Sequence, residues 1–230
     1  MITMREIDVR CAVCGALGRK AGLTSTSSFG PPDLDLRPNG PARWALPFRI
    51  QRCDACGYCA DSIGTAPPQA AAVVQSPVNR DVLERSKLPG VARTYFCSAL
   101  VEEAAGRPEA SGWDFLSAAW ACDDKRASGQ ARSCRQRAAE MFARALERGE
   151  ISAPRPVVQT LIAELWRRAG RFDDALGACD AAAGELAEIA SGDDDEDGTP
   201  TTAVVEFIRS LSLAGDDEAH SCAEAFAEGE

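Results

Sequence analysis

Four cysteines in two identical frames are the residues best placed to do chemistry in this chain. Cys11-Ala12-Val13-Cys14-Gly15 and Cys53-Asp54-Ala55-Cys56-Gly57 both read C-x-x-C-G. Thiolates at i and i+3 on a tight turn can reach one ion, and the glycine lets the backbone turn its N–H groups towards sulfur. Two such knuckles supply the four sulfurs that tetrahedral Zn²⁺ needs, so Cys11, Cys14, Cys53 and Cys56 are the expected zinc ligands. The intervening stretch is longer than the usual ~15–20 residues. A proline- and glycine-rich excursion, "SSFGPPDLDLRPNGPARW", accounts for the excess without disturbing either knuckle. A closed Cys₄ set leaves no open position for water or substrate, which points to structural zinc. Cys59 is the spare: it could replace Cys53 through Cys56-Gly57-Tyr58-Cys59, but the paired C-x-x-C-G form favours Cys53. A C-x-x-C pair can instead be a dithiol redox catalyst when it opens a helix after a strand. Here glycine follows each pair and no βαβ pattern surrounds either.

The elements that must position these sulfurs divide the chain in two. Residues 1–62 read as a zinc-ribbon-like domain, rich in turn formers, with strand-like pieces "EIDVRC" and "PFRIQRC" leading into the knuckles. A unit of about 60 residues rarely stabilises itself by its core alone, and a metal staple is a common solution. "IGTAPPQ", Ile63 to Gln69, reads as a linker.

Residues 78–230 read as a TPR-like helical domain. In "PVVQTLIAELWRRAG" the apolar residues Val157, Val158, Leu161, Ile162, Leu165 and Trp166 recur at helical steps. A second helix, with Phe172, Ala175, Leu176, Cys179, Ala183 and Leu186 on one face, completes a hairpin across Gly170. The layout recurs around Gly106 and Gly215; in the last copy Ala219, Cys222, Ala223 and Phe226 are expected on one helical face. Such hairpins bury their apolar faces by stacking on neighbours.

Charge is spread unevenly: net +3 over residues 1–60, zero over 61–150 and −13 over 151–230, for −10 overall. The acidic end repels nucleic acid and anionic membrane, leaving Arg19, Lys20, Arg37, Arg43, Arg49, Arg52 and Trp44 as the possible nucleic-acid face. No signal-peptide pattern opens the chain and no apolar run reaches the ~18 residues of a spanning helix. A cytoplasmic protein without a membrane partner is expected. In a reducing compartment ten cysteines favour metal over disulfides. Cys97, Cys122, Cys134, Cys179 and Cys222 lie singly on helices and read as small buried hydrophobes.

Three further signals fail. His220, the lone histidine, is two residues from Cys222, so the pair points in different directions on a helix. "GALGRKAG" lacks the spacing of a phosphate loop. Asp193, Asp195, Asp197 and Gly198 match the first half of a calcium loop, but the closing glutamate position is Val204.

With the knuckles and hairpins placed, the chain resembles the uncharacterised bacterial family known as domain of unknown function 2225. "CAVCG", "CDACGYC", "LSAAWACDD" and "AELWRRAGRFDDALGAC" carry the resemblance, which spans most of the sequence. It implies the metal role for Cys11, Cys14, Cys53 and Cys56 and helices like tetratricopeptide repeats, and implies no established reaction. The expectation is therefore a mainly α protein: a small N-terminal Cys₄ zinc ribbon with short β hairpins, followed by a TPR-like antiparallel helical-hairpin array. Its expected role is a non-catalytic interaction or scaffold protein that binds a protein or peptide partner on the array. A nucleic-acid-binding zinc ribbon and a thiol redox protein are the alternatives.

Overall fold

The computed structural model describes residues 1–190 and 199–227. It is mainly helical, with a small β region at the N-terminus. Strands β1 (Ile2–Arg10) and β2 (Leu17–Thr26) form an antiparallel hairpin whose register runs from Ile2 opposite Thr26 to Arg10 opposite Leu17. The excursion follows, with a short helix α1 (Pro41–Trp44) and a 3-10 turn at Leu46–Phe48. A minimal second pair, β3 (Gln51–Arg52) and β4 (Cys59–Ala60), carries the second knuckle. The strand expected over "PFRIQRC" thus shrinks to two residues, because the turn at Leu46–Phe48 uses up its first half.

Helices α2 (Ala70–Gln75) and α3 (Pro77–Arg85) come next, α3 being capped by Ser76 Oγ, which accepts from the Asn79 N–H at 3.1 Å. Then α4 (Gly90–Ala104), α5 (Pro108–Asp123), α6 (Ser128–Arg148), α7 (Arg155–Arg168), α8 (Phe172–Ala190) and α9 (Thr199–Leu213) each pack on their neighbours in sequence, and α7 also meets α9. The main core lies between α4, α5, α6 and α7, around Phe115, Leu116, Met141, Phe142 and Leu165. Gly106, Gly170 and Gly215 all take positive φ, between 70° and 74°, as the recurring helix-ending turn requires. Among the described residues no helix is long and apolar enough to cross a membrane.

The last expected hairpin is only half formed. After α9 the chain runs irregularly through Asp216–Ala223 before a single turn, α10 (Glu224–Ala227), and Phe226 is half exposed. The physical reason lies in the excursion. The N–H of Leu34 donates to the His220 carbonyl at 2.9 Å and that of Cys222 to the Pro32 carbonyl at 2.9 Å, so this backbone is spent on an antiparallel bridge. Arg167, buried on α7, donates to the carbonyls of Asp216 (2.7 Å) and Glu218 (2.9 Å), which holds the segment open.

His220 sits in this clasp, with Nδ1 2.8 Å from Glu224 Oε2 and Nε2 3.1 Å from Asp216 Oδ2. Burial lowers its pKa, but the two carboxylates outweigh that and raise it above 6.5. Glu224 is pulled down to about 2, chiefly by the backbone N–H of Ser221 and also by His220. A raised histidine contributes stability below 6.5 and loses it as pH rises through the folded value. A lowered carboxylate contributes above 4.5 and loses it on acidification. The clasp is therefore expected to be tightest between these two values. His220→Gln should flatten the alkaline side of a melting-temperature profile, and an unchanged profile would remove His220 from the clasp.

Candidate metal centre

Each knuckle is the turn at the end of an antiparallel pair, and the two are built alike. In the first, the Cys11 N–H donates to the Ala16 carbonyl (2.9 Å) and the Gly15 N–H to the Cys11 carbonyl (2.8 Å). In the second, Cys53 donates to Tyr58 (2.7 Å) and Gly57 to Cys53 (2.9 Å). Gly15 and Gly57 adopt φ of 75° and 77°, a conformation in which a side chain is strained. The turn aims the N–H groups of Val13 and Cys14 at the Cys11 sulfur, and those of Ala55 and Cys56 at the Cys53 sulfur.

The fold brings all four expected ligands together, the Sγ atoms of Cys11, Cys14, Cys53 and Cys56 lying within 4.8 Å of one another. Two of the closest approaches run between the knuckles, Cys11–Cys56 at 3.7 Å and Cys14–Cys53 at 3.6 Å. Sulfurs ~2.3 Å from a tetrahedral ion stand ~3.8 Å apart, whereas a disulfide needs ~2.05 Å, so the cluster fits a four-thiolate metal site. Cys11 and Cys53 are buried while Cys14 is exposed. Burial pushes the Cys53 thiol up, but the N–H groups of Cys56 and Ala55, with side-chain hydrogen bonds from Cys56 and Cys14, bring it down to about 7. Burial, with the neighbouring thiols, raises Cys11 and Cys56 instead, so the cluster shares its protons unequally and a metal would have to displace the remaining ones.

Around the sulfurs a small apolar cluster joins Cys11, Cys53, Tyr58, Ala60 and Ile63 to Ala70 on α2 and Val101 on α4. Ile63 is 2% exposed and its carbonyl accepts from the Ala12 N–H at 2.9 Å, so the start of the Ile63–Gln69 stretch packs against the first knuckle. Across the site Lys20 pairs with Asp54 at 2.6 Å. Helix α3 leans on the second knuckle so closely that a Cβ on Gly57 would stand 2.7 Å from Leu83 Cδ1, while at Gly15 nothing lies within 4 Å. Both Gly→Ala changes pay the backbone strain, ~1–2 kcal/mol. Gly57→Ala is expected to cost about as much as Gly15→Ala in chemical denaturation, because Leu83 Cδ1 is the end of a half-buried side chain that can turn aside; a clearly larger cost at Gly57 would mean that α3 cannot yield.

Cys59 stands outside the cluster. It is buried on β4, its Sγ is 3.2 Å from the Gly57 carbonyl oxygen, and its thiol is raised well above the ordinary value by a hydrogen bond with Cys97 on α4. Cys122 and Cys134 form a similar buried thiol pair between α5 and α6. Neither knuckle opens a helix, the position that a dithiol catalyst of the thioredoxin type uses. Of the six basic residues marked for nucleic acid, four are held by carboxylates: Arg19 by Asp8, Lys20 by Asp54, Arg37 by Asp124 and Arg43 by Asp33. The calcium-like residues Asp193, Asp195, Asp197 and Gly198 lie outside the described residues; Val204, at the closing position, packs into the apolar cluster of α8 and α9.

What the sequence reading missed is a buried ionic clasp between the excursion and the helices. Asp35, 1% exposed, accepts from Trp120 Nε1 at 2.9 Å and Arg135 Nη2 at 3.1 Å. Burial raises its pKa, but Arg135 and Arg168 outweigh that and lower it. Asp35 and Arg135 are 100 residues apart, so no local spacing links them. The one available hint was the alternation of "DLDL" inside an otherwise irregular stretch. No family model, curated protein or solved structure matches this chain.

Proposed function

We propose that Cys11, Cys14, Cys53 and Cys56 hold one structural Zn²⁺ in a ribbon, and that the protein is a non-catalytic scaffold whose helices bind a protein or peptide partner. The observation that carries the metal half is the four-sulfur cluster, with its 3.6 and 3.7 Å contacts between two knuckles of the same build. Four thiolates with no oxygen ligand favour Zn²⁺ over hard cations. The ion would join the two hairpins and complete a unit whose own apolar cluster is small. Neighbour-on-neighbour packing of α4 to α9 supports reading the helices as a TPR-like array. It is also the organisation expected from the resemblance to domain of unknown function 2225. Residues Leu34–Arg37 occupy part of α5–α7, which leaves the partner the rest of the array.

The test joins metal content to partner capture. Purified wild type is expected to carry one zinc per chain, and the Cys53→Ser, Cys56→Ser double variant none. A partner captured by wild type should protect amides of α4–α9 from exchange. Protection confined to residues 1–62 would move the binding function to the ribbon.

A further inference from the structure

The excursion gives the fold something besides length. Residues 26–49 fold back over α5 and leave a cleft of about 620 Å³, within the ~300–1,000 Å³ of small-molecule sites. Its apolar wall is Trp113 and Trp120 from α5, with Leu36 and Leu46 from the excursion. Arg37, Arg43 and Arg49 also line it, and none of its described lining residues is acidic. Arg37 and Arg43 are committed to Asp124 (2.6 Å) and Asp33 (2.8 Å), whereas Arg49 is exposed and has no ion pair among the described residues.

Two oddities converge on the same cleft. Leu36 has φ 64°, a left-handed conformation unusual for a bulky residue, and it is 38% exposed. Such strain survives only where the surroundings impose it, and it gathers at binding sites. Thr26 also lines the cleft, and its Oγ1 is a buried hydroxyl with no hydrogen-bond partner among the described residues. Buried polar atoms are normally satisfied, so this one is an orphan behind the cleft wall that an occupant reaches only if the lining shifts. Flat aromatic walls beside uncompensated positive charge select a particular chemistry, since a planar body stacks on indole while an anionic head pairs with guanidinium.

We propose that this cleft is a binding site for an organic anion with a flat apolar body, its charged group on Arg49 and its ring system against Trp113. An aromatic carboxylate and a nucleoside monophosphate share that chemistry. The probe is 8-anilinonaphthalene-1-sulfonate, titrated into the full chain by its fluorescence, with 1-N-phenylnaphthylamine as the same ring system without the charge. The sulfonate is expected to bind one site, at least tenfold more tightly than the neutral compound. Arg49→Gln should weaken the sulfonate about fivefold and leave the neutral compound unchanged, while Trp113→Ala weakens both. Leu36→Gly relieves the backbone, so it should weaken the probe without lowering the melting temperature, which separates loss of the cleft from loss of the fold. Displacement of the probe by 2-naphthoate alone assigns a carboxylate, and by adenosine monophosphate alone a phosphate ester. Displacement by neither, equal binding of charged and neutral probes, or indifference to Arg49→Gln overturns the proposal.

Discussion

The Cys53→Ser, Cys56→Ser double variant is expected to lose its zinc and with it the fold of the ribbon, while the helices stay folded. Two-stranded hairpins are marginal in water by themselves, and β1–β2 is largely exposed along its length. Structural zinc contributes on the order of 10–16 kcal/mol in small modules, as much as the whole stability of an ordinary domain, ~5–15 kcal/mol. The core around Phe115, Met141 and Phe142 does not draw on the ribbon's apolar cluster. Hydrogen exchange should therefore show protection lost around both knuckles and kept through α5–α7. The same pattern is expected when a chelator strips the wild-type protein. Cys59→Ser is the control: its sulfur faces Cys97 and the Gly57 carbonyl, so zinc content should not change. Unchanged zinc in the double variant would overturn the ligand assignment.

Arg135→Met is expected to be the most damaging single change outside the knuckles, at ~3–5 kcal/mol. It leaves the Asp35 carboxylate buried without its main counter-charge and takes from Asp123 a second guanidinium contact. For a chain of this size that corresponds to roughly 10 °C in melting temperature. Asp35→Asn should cost less, because the amide oxygen can still accept from Trp120. It should also remove one acid-sensitive contribution. The lowered pKa of Asp35 means stability present above 3.8 and lost as pH falls through the folded value, a dependence that asparagine lacks. Arg19→Ala, which breaks an exposed pair with Asp8, should stay within ~0.5 kcal/mol. If Arg135→Met melts like Arg19→Ala, the clasp contributes nothing measurable to stability.

The cysteine frames and the helical periodicity were legible because each depends on neighbours in sequence. A C-x-x-C-G turn sets its own backbone, and an apolar face repeating every three or four residues sets its own helix. The sequence by itself therefore determined the two knuckles, the four sulfurs they offer, the hairpins across Gly106 and Gly170, and the glycine turn that ends α9. Only the tertiary structure decided the rest. It turned Cys59 towards Cys97, seated Ile63 against the first knuckle, and opened Asp216–Ala223 to meet Pro32 and Leu34. It also buried Asp35 against Arg135 and Trp120, and folded the excursion over α5 to make the cleft. Each of these outcomes joins groups tens of residues or more apart, where a polar atom finds its partner only after the chain has packed. Local spacing carries no trace of such a pairing.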